Sequence, residues 1–261
     1  MSQIELRRNI MRWGNSAGIL LPKEMVGSEA RVIIINHTLQ IKKEVLSILE
    51  DNLQEIQGIY LTGSYARNEQ DSNSDIDVIA ISNKLKKEII SGKYHISVIP
   101  LSETKKTILD NPLMIMPRLI EAKTLLNQAL LNSLTSNVMK RDSIKGYIKE
   151  TGRILKINKE LIDINKSRER LDSNEPIYSI ILRLRGLLII KCLLNKEKYS
   201  NTLFKKWLSI NTKLDAKEIE RIYSIYKGIK ENKPDKKAKI SLNSAIELIK
   251  FAQKEASKYA E

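Results

Sequence analysis

The segment from Thr62 to Ile81, TGSYARNEQDSNSDIDVIAI, holds the residues best suited to chemistry. Gly63 and Ser64 follow a short apolar run, and a glycine there lets backbone N–H groups and a hydroxyl approach phosphate oxygens. Asp75 and Asp77 stand two apart at the start of another apolar run, so on a strand both carboxylates emerge on one face. Two carboxylates on one face repel unless they share a cation. Oxygen donors suit Mg2+, which is commonly completed by substrate phosphates. The pair therefore reads as the holder of a Mg–nucleotide whose triphosphate lies along Gly63 and Ser64, the metal stabilising charge as pyrophosphate leaves. Taken alone, Asp-x-Asp is also a common turn or strand end.

The surrounding pattern must position these groups. TLQIKKEVLSILEDNLQ has helical spacing, with Thr38 as a possible N-cap and Gly58 as the expected stop. IYLTG reads as a short strand, DIDVIAIS as a second, Lys84 to Ile90 as a lysine-rich helix, and KYHISVIPLS as a further strand. An apolar helix and a short final strand are expected before Asn127.

The complete phrase GSYARNEQDSNSDIDV resembles the signature of the DNA polymerase β-like nucleotidyltransferase superfamily, GSxARG followed by five residues and SDIDV. Gly63, Ser64, Ala66, Arg67, Ser74, Asp75, Ile76, Asp77 and Val78 fall at the family spacing. The subgroup is that of the minimal nucleotidyltransferases, which includes antitoxins of toxin–antitoxin pairs and kanamycin-type enzymes. The resemblance implies transfer of a nucleoside monophosphate from an NTP, ATP being the expected one, to an acceptor hydroxyl with Mg2+. It also implies that Gly63, Ser64 and Ser74 belong to the nucleotide site and that Arg67 supports the loop or a phosphate. Asp75 and Asp77 would be the catalytic metal ligands. Two positions depart from the family. Asn68 replaces a glycine, though Asn tolerates left-handed backbone. The third acidic residue of active members is absent from the next strand, whose facing positions are His95 and Ser97. His95 reads as a possible proton acceptor or a plain strand residue, and Glu69, Asp71 and Glu103 are the acids nearby in sequence.

Upstream, residues 4–36 read as strand, turn, strand, short turn, strand, with Gly14-Asn15-Ser16 in the first turn and strands at Ile19–Leu21 and Arg31–Ile35. WGNSAGILLPKE, Trp13 to Glu24, resembles the swapped-hairpin domain of AbrB- and MazE-type regulators. That resemblance implies a homodimer through residues 4–36 and DNA phosphates facing Arg7, Arg8, Arg12 and Lys23. The stretch between Lys23 and Arg31 is shorter than the family's usual helix.

Downstream, helices are expected at about 139–167, 176–195, 200–210, 215–231 and 241–260. The second carries a core stripe of Ile177, Ile180, Ile181, Leu184, Leu187 and Leu188. Arg183 and Arg185 lie off that stripe, toward phosphate or water. Tyr223 and Tyr226, beside Arg221 and Lys227, are candidates to stack on bases. The bundle is loosely reminiscent of HEPN domains, but both histidines, His37 and His95, lie outside it, which disfavours a HEPN-type nuclease.

The expected fold is α+β: a β-hairpin segment at 1–36, a mixed-sheet nucleotidyltransferase domain at 37–130 and a helical bundle at 131–261. The net charge of +14 resides entirely beyond residue 110, since residues 1–110 balance acids and bases. Such a half suits RNA, DNA or nucleotide phosphates, or is simply a solvated lysine-rich face. No window approaches a membrane span and the first residues carry charges, so a cytoplasmic protein without membrane partner is expected. The single cysteine, Cys192, excludes an intramolecular disulfide and a cysteine zinc cluster, and reads as a buried structural thiol. The function expected is nucleotidyl transfer to RNA, protein or a small molecule. The alternative is a DNA-binding dimeric regulator, or an antitoxin-like protein, with a degenerate transferase domain.

Overall fold

The computed structural model describes residues 4, 6, 8, 10–32, 37–71, 73–136, 141–165, 171, 173–195, 197–233, 235 and 240–259. The chain divides into two compact units, Met1–Lys43 and Glu44–Glu261.

In the first unit, β1 (Met11–Trp13) pairs antiparallel with β2 (Ser16–Gly18), Trp13 standing opposite Ser16. Gly14 takes a φ of 58° in the two-residue turn, the left-handed geometry for which glycine is suited at a first loop position. The second strand therefore starts ahead of the apolar Ile19–Leu21 piece, because the turn and not apolarity sets where pairing begins. A turn of 3-10 helix follows at Lys23–Met25. Of the third strand expected at Arg31–Ile35, Arg31 and Val32 adopt no regular structure, and residues 33–35 lie outside the described residues, as does Arg7.

Helix α1 (His37–Ile48) contains the division between the units. It ends earlier than the expected stop at Gly58, since the Asp51-Asn52 region is poor in helix formers and folds as a 3-10 stretch, Glu50–Glu55. Gly58 instead lies in β3 (Ile56–Leu61), where a Cβ would collide with the Tyr60 hydroxyl.

The sheet of the second unit is completed by β4 (Ile76–Ser82), β5 (Lys87–Ser91), β6 (Tyr94–Pro100) and β7 (Lys123–Leu126), in the order β5-β6-β4-β3-β7. The pair β4–β6 is parallel and the others are antiparallel. β4 is central and buried except at Asp77, which explains its unbroken apolar run. Of the helix expected at Lys84–Ile90, residues 87–90 lie in β5 and residues 84–86 form irregular backbone before it. As an exposed edge strand β5 opens with two charged residues, Lys87 and Glu88, and lacks the apolar alternation of a half-buried strand. Gly92, at φ 56°, turns it back into β6.

The helices are α3 (Leu101–Asp110), α4 (Pro112–Glu121), α5 (Gln128–Thr135), α6 (Lys145–Ile164), α7 (Glu175–Leu194), α8 (Asn201–Asn211), α9 (Ala216–Lys230) and α10 (Leu242–Ser257), the last five close to the expected ranges. α7 is the centre of the bundle, packed on α4, α6, α9 and α10. The stripe from Ile177 to Leu188 is buried as expected. Leu193 at its end joins the core formed by Tyr60, Ile79, Ile81 and Leu119, so sheet and bundle share apolar packing. Cys192 is buried, and burial pushes its thiol up to about 11. Among the described residues no helix is long and apolar enough to cross a membrane.

Candidate active site

The chemistry-bearing groups collect where β3 ends and its antiparallel neighbour β4 begins. Thr62, fully buried, donates its backbone N–H to the Asp77 carbonyl at 2.8 Å and leads into a one-turn helix, α2 (Gly63–Arg67). Gly63 has φ +70°, and a Cβ there would collide with the Asp77 carboxylate. Only glycine meets both conditions. The Gly63 amide donates to Glu121 Oε1 at 2.8 Å and is thus committed to the protein, so a donor for a ligand from this pair would come from Ser64. Asn68 closes α2 at φ 57°, ψ 35°, the left-handed backbone that its side chain tolerates. Lys123 Nζ fixes it, donating to Asn68 Oδ1 at 2.5 Å and to the Tyr65 carbonyl at 3.2 Å.

β4 starts at Ile76, so Asp75 stands just before the strand, exposed, while Asp77 is half-buried within it. Burial pushes the Asp77 carboxyl above its ordinary value; Asp75 adds to that push, and Arg118, His95 and Lys230 oppose it. A divalent cation bound at Asp77 would offset the burial that raises its carboxyl. Among the described residues no three His, Cys, Asp or Glu side chains gather as a metal cage. Two carboxylates completed by phosphates fit Mg2+, which seldom has an all-protein cage. Ser74 closes the intervening turn: its hydroxyl accepts from the Asp71 amide at 2.9 Å and donates to Asp71 Oδ1 at 3.1 Å.

In the parallel β4–β6 register His95 lies beside Asp77, its Nδ1 4.0 Å from Asp77 Oδ1. His95 Nε2 stands 3.3 Å from Glu88 Oε2, which also accepts from the Ser97 hydroxyl at 3.0 Å. Glu88, on edge strand β5, is thus a second carboxylate next to His95, on the side away from Asp77's contact with Nδ1. The three nearby acids of the sequence have other partners: Glu69 pairs with Arg67, Asp71 with Lys227 and Glu103 with Lys86.

Arg67 lies between two carboxylates, its Nε 2.8 Å from Glu69 Oε2 and its Nη1 2.7 Å from Glu121 Oε2. Burial pushes the Glu121 carboxyl up, and the Arg67 guanidinium and the Gly63 amide oppose that push. Sequence reasoning missed Glu88, Glu121, Arg118 and Lys230. The Ser91-Gly92 pair was the available signal for the hairpin that brings in Glu88; the other three sit on helices and carry no local signature.

The bundle arginines serve packing. Arg185 Nε donates to the Tyr199 hydroxyl at 2.8 Å, its Nη1 bonds the Tyr226 hydroxyl, and its guanidinium covers the Tyr226 ring at 4.8 Å. Tyr226 is buried and stacked on Tyr178 with centroids 5.4 Å apart, so it offers no face to a base. Tyr223 packs on Phe204 and is covered by the Lys205 ammonium at 4.7 Å. Arg183 lies over the Tyr147 ring at 5.7 Å.

A family model described as a nucleotidyltransferase domain matches residues 42–185, more than half of the chain. The chain belongs to that family. A comparison with curated protein sequences finds no match. Among solved structures the chain is similar to a nucleotidyltransferase-like protein from Exiguobacterium sibiricum, at 11% identity and TM-score 0.37, covering 84% of this chain and 74% of that one. It is also similar to spectinomycin adenyltransferase AAD(9) from Enterococcus faecialis, solved with ATP and spectinomycin, at 14% identity and TM-score 0.45, covering 85% and 100%.

Proposed function

We propose that this chain moves a nucleoside monophosphate from a Mg–NTP, ATP foremost, to an acceptor hydroxyl on RNA, a protein or a small molecule. The observation that supports it most is the packing of Gly63 against the Asp77 carboxylate where β3 ends and β4 begins, with Asp75 two residues earlier in the chain. The acceptor oxygen attacks the α-phosphorus, the bond to the bridging oxygen of the β-phosphate breaks, and pyrophosphate departs. Asp75 and Asp77 would hold Mg2+, which would supply charge stabilisation to the phosphates. The Ser64 hydroxyl would donate to a terminal phosphate, and Arg67 would keep the loop in place. Arg118 and Lys230, whose charges reach Asp77, would face the polyphosphate. His95, 3.3 Å from Glu88, would take the proton from the acceptor.

The test is Mg2+-dependent transfer of label from α-labelled NTPs to total cellular RNA and protein, comparing wild type with Asp75→Asn/Asp77→Asn. We expect the double variant to lose transfer by about a thousandfold or more, and the labelled band to name the acceptor class. Absence of transfer by wild type with all four NTPs and both acceptor pools would overturn the reading.

One observation favours a second reading for the N-terminal unit. Its strands have three residues each, yet Trp13 is 63% and Val26 85% exposed, with Leu20 and Leu21 exposed as well. A second copy pairing through residues 4–36 would cover such a surface, and Arg8, Arg12 and Lys23 would then be set against DNA phosphates, as in a dimeric regulator or antitoxin-like protein. Sedimentation would read a dimer that Trp13→Ser disperses, and duplex binding would weaken steeply with salt. A monomer indifferent to duplex DNA would remove this reading.

A further inference from the structure

The seven residues between the glycine turn and the aspartate pair, Asn68 to Ser74, do more than span a gap. They carry two carboxylates, and both reach into the helical bundle. Asp71 pairs with Lys227 on the last turn of α9. Glu69 Oε1 accepts from the backbone amides of Asn201 at 2.8 Å and Thr202 at 3.3 Å, the first two residues of α8. Those amides have no intrahelical acceptor, and the first turn is the positive end of the helix, so a carboxylate is well placed there. Ser200 caps the same helix through the Leu203 amide, at 3.0 Å, and leaves the first two amides to Glu69.

From Glu69 the bonding runs on without a break. Its other oxygen accepts from Arg67 Nε, Arg67 Nη1 donates to Glu121 Oε2, and Glu121 Oε1 accepts from the Gly63 amide. The side chains of Arg67, Glu69 and Glu121 are only 15%, 14% and 7% exposed, so water weakens these charge-assisted bonds little. One end of the chain is the first turn of α8, and the other is the residue packed on Asp77.

We propose that Glu69 is a positioning residue, which ties the orientation of the Gly63–Ser64 turn to the seating of α8, so that nucleotide binding and docking of the helical bundle are coupled. The inference rests on the nucleotidyltransferase reading. If α8 shifts, Glu69 must leave its amides or draw Arg67 away from Glu121, and Glu121 then no longer holds Gly63 beside Asp77. By reciprocity, a nucleotide that fixes the turn stabilises the first turn of α8.

The experiment uses the full chain with Mg2+ and non-hydrolysable analogues of all four NTPs. Calorimetry reads affinity, and hydrogen exchange reads the α8 amides. In wild type the bound nucleotide should slow exchange at the start of α8. Glu69→Ala should weaken binding about tenfold, within the range of site-to-site couplings, and abolish the protection. Asn201→Pro approaches from the other end: it deletes the amide that Glu69 accepts, at the helical position where proline is tolerated, and Ser200 is already extended at ψ 159°. It should reproduce the loss, whereas Asn201→Ala, which keeps the amide, should bind as wild type does. A merely structural role would lower the melting temperature of Glu69→Ala and leave affinity untouched. Wild-type affinity in both Glu69→Ala and Asn201→Pro, with α8 exchange indifferent to nucleotide, overturns the inference alone. Failure of wild type to bind any nucleotide overturns the nucleotidyltransferase reading and this inference with it.

Discussion

Arg67 and Arg185 are both half-buried arginines in one compact unit, but they are satisfied differently. Arg67 meets two carboxylates, Glu69 and Glu121, so its charge is neutralised where it stands. Arg185 meets two tyrosine hydroxyls and their ring faces, which are neutral, and the described residues give it no carboxylate. A charge locked among opposite charges sets position and exerts little field beyond itself. A charge wrapped in aromatic rings keeps its field while its donors are satisfied. The Arg67 region therefore works by geometry, and the Arg185 region adds to the positive potential of the basic half.

The largest effect is expected on the Arg67 side. Arg67→Ala leaves the enclosed Glu69 and Glu121 carboxylates without their cation, and breaking a buried pair in this way costs about 3–5 kcal/mol. A thermal melt should show a large drop, and adding Glu121→Gln should recover part of it by removing one unpaired charge. Arg67→Lys should fall between, since an ammonium cannot reach both carboxylates with a fixed fork. A single variant with unchanged melting would mean that the carboxylates find water or protons, and the contrast with Arg185 would vanish.

Arg185→Met tests the other half. Methionine keeps much of the apolar stem, so the loss is two hydrogen bonds to neutral hydroxyls and a ring contact. That amounts to about 1–3 kcal/mol, smaller than at Arg67 because no charge is stranded. The measurement is again thermal unfolding. A loss equal to that of Arg67→Ala would show that the tyrosine shell matters as much as an ion pair.

Legibility in the sequence follows the same division between local and long-range causes. Gly63, Ser64, Asp75 and Asp77 stood out because one short stretch, from the start of α2 to the start of β4, carries them all, and the backbone at Gly63 admits only glycine. α7 was readable because its face is buried along its whole length, from Ile177 to Leu188. β5 was misread because an edge strand exposed on both faces has no period for burial to impose. With it went Glu88, the second carboxylate beside His95. Arg185 and Tyr226 looked like surface groups from charge and spacing alone, but they pack on each other through contacts between helices far apart in sequence. Glu121 and the amides of α8 gave no signal, since the reason for each lies with a partner more than fifty residues away.

The smallest effect separates the two ties between the motif spacer and the bundle. Glu69 is largely enclosed, whereas Asp71 and Lys227 meet at the surface, with side chains 43% and 46% exposed. The Lys227 bond, followed by the Asn73 amide, holds the Asp71 carboxyl down at about 2, against 3.8 in an unfolded chain. A depressed acid stabilises the folded state fully above the unfolded value and loses that contribution as pH falls through the folded one. The stability difference between wild type and Asp71→Asn should therefore be constant near neutrality, shrink as pH falls below about 5 and vanish only below the folded value, by about pH 1. Its size should be at most about 1 kcal/mol and should fall with added salt, because an exposed pair is screened. Denaturant melts at several pH values and two salt concentrations would read it. Salt should leave the penalty of Glu69→Ala nearly unchanged, since its bonds are shielded from ions; equal salt sensitivity in the two variants would mean that both ties are surface contacts and that Glu69 holds nothing in place.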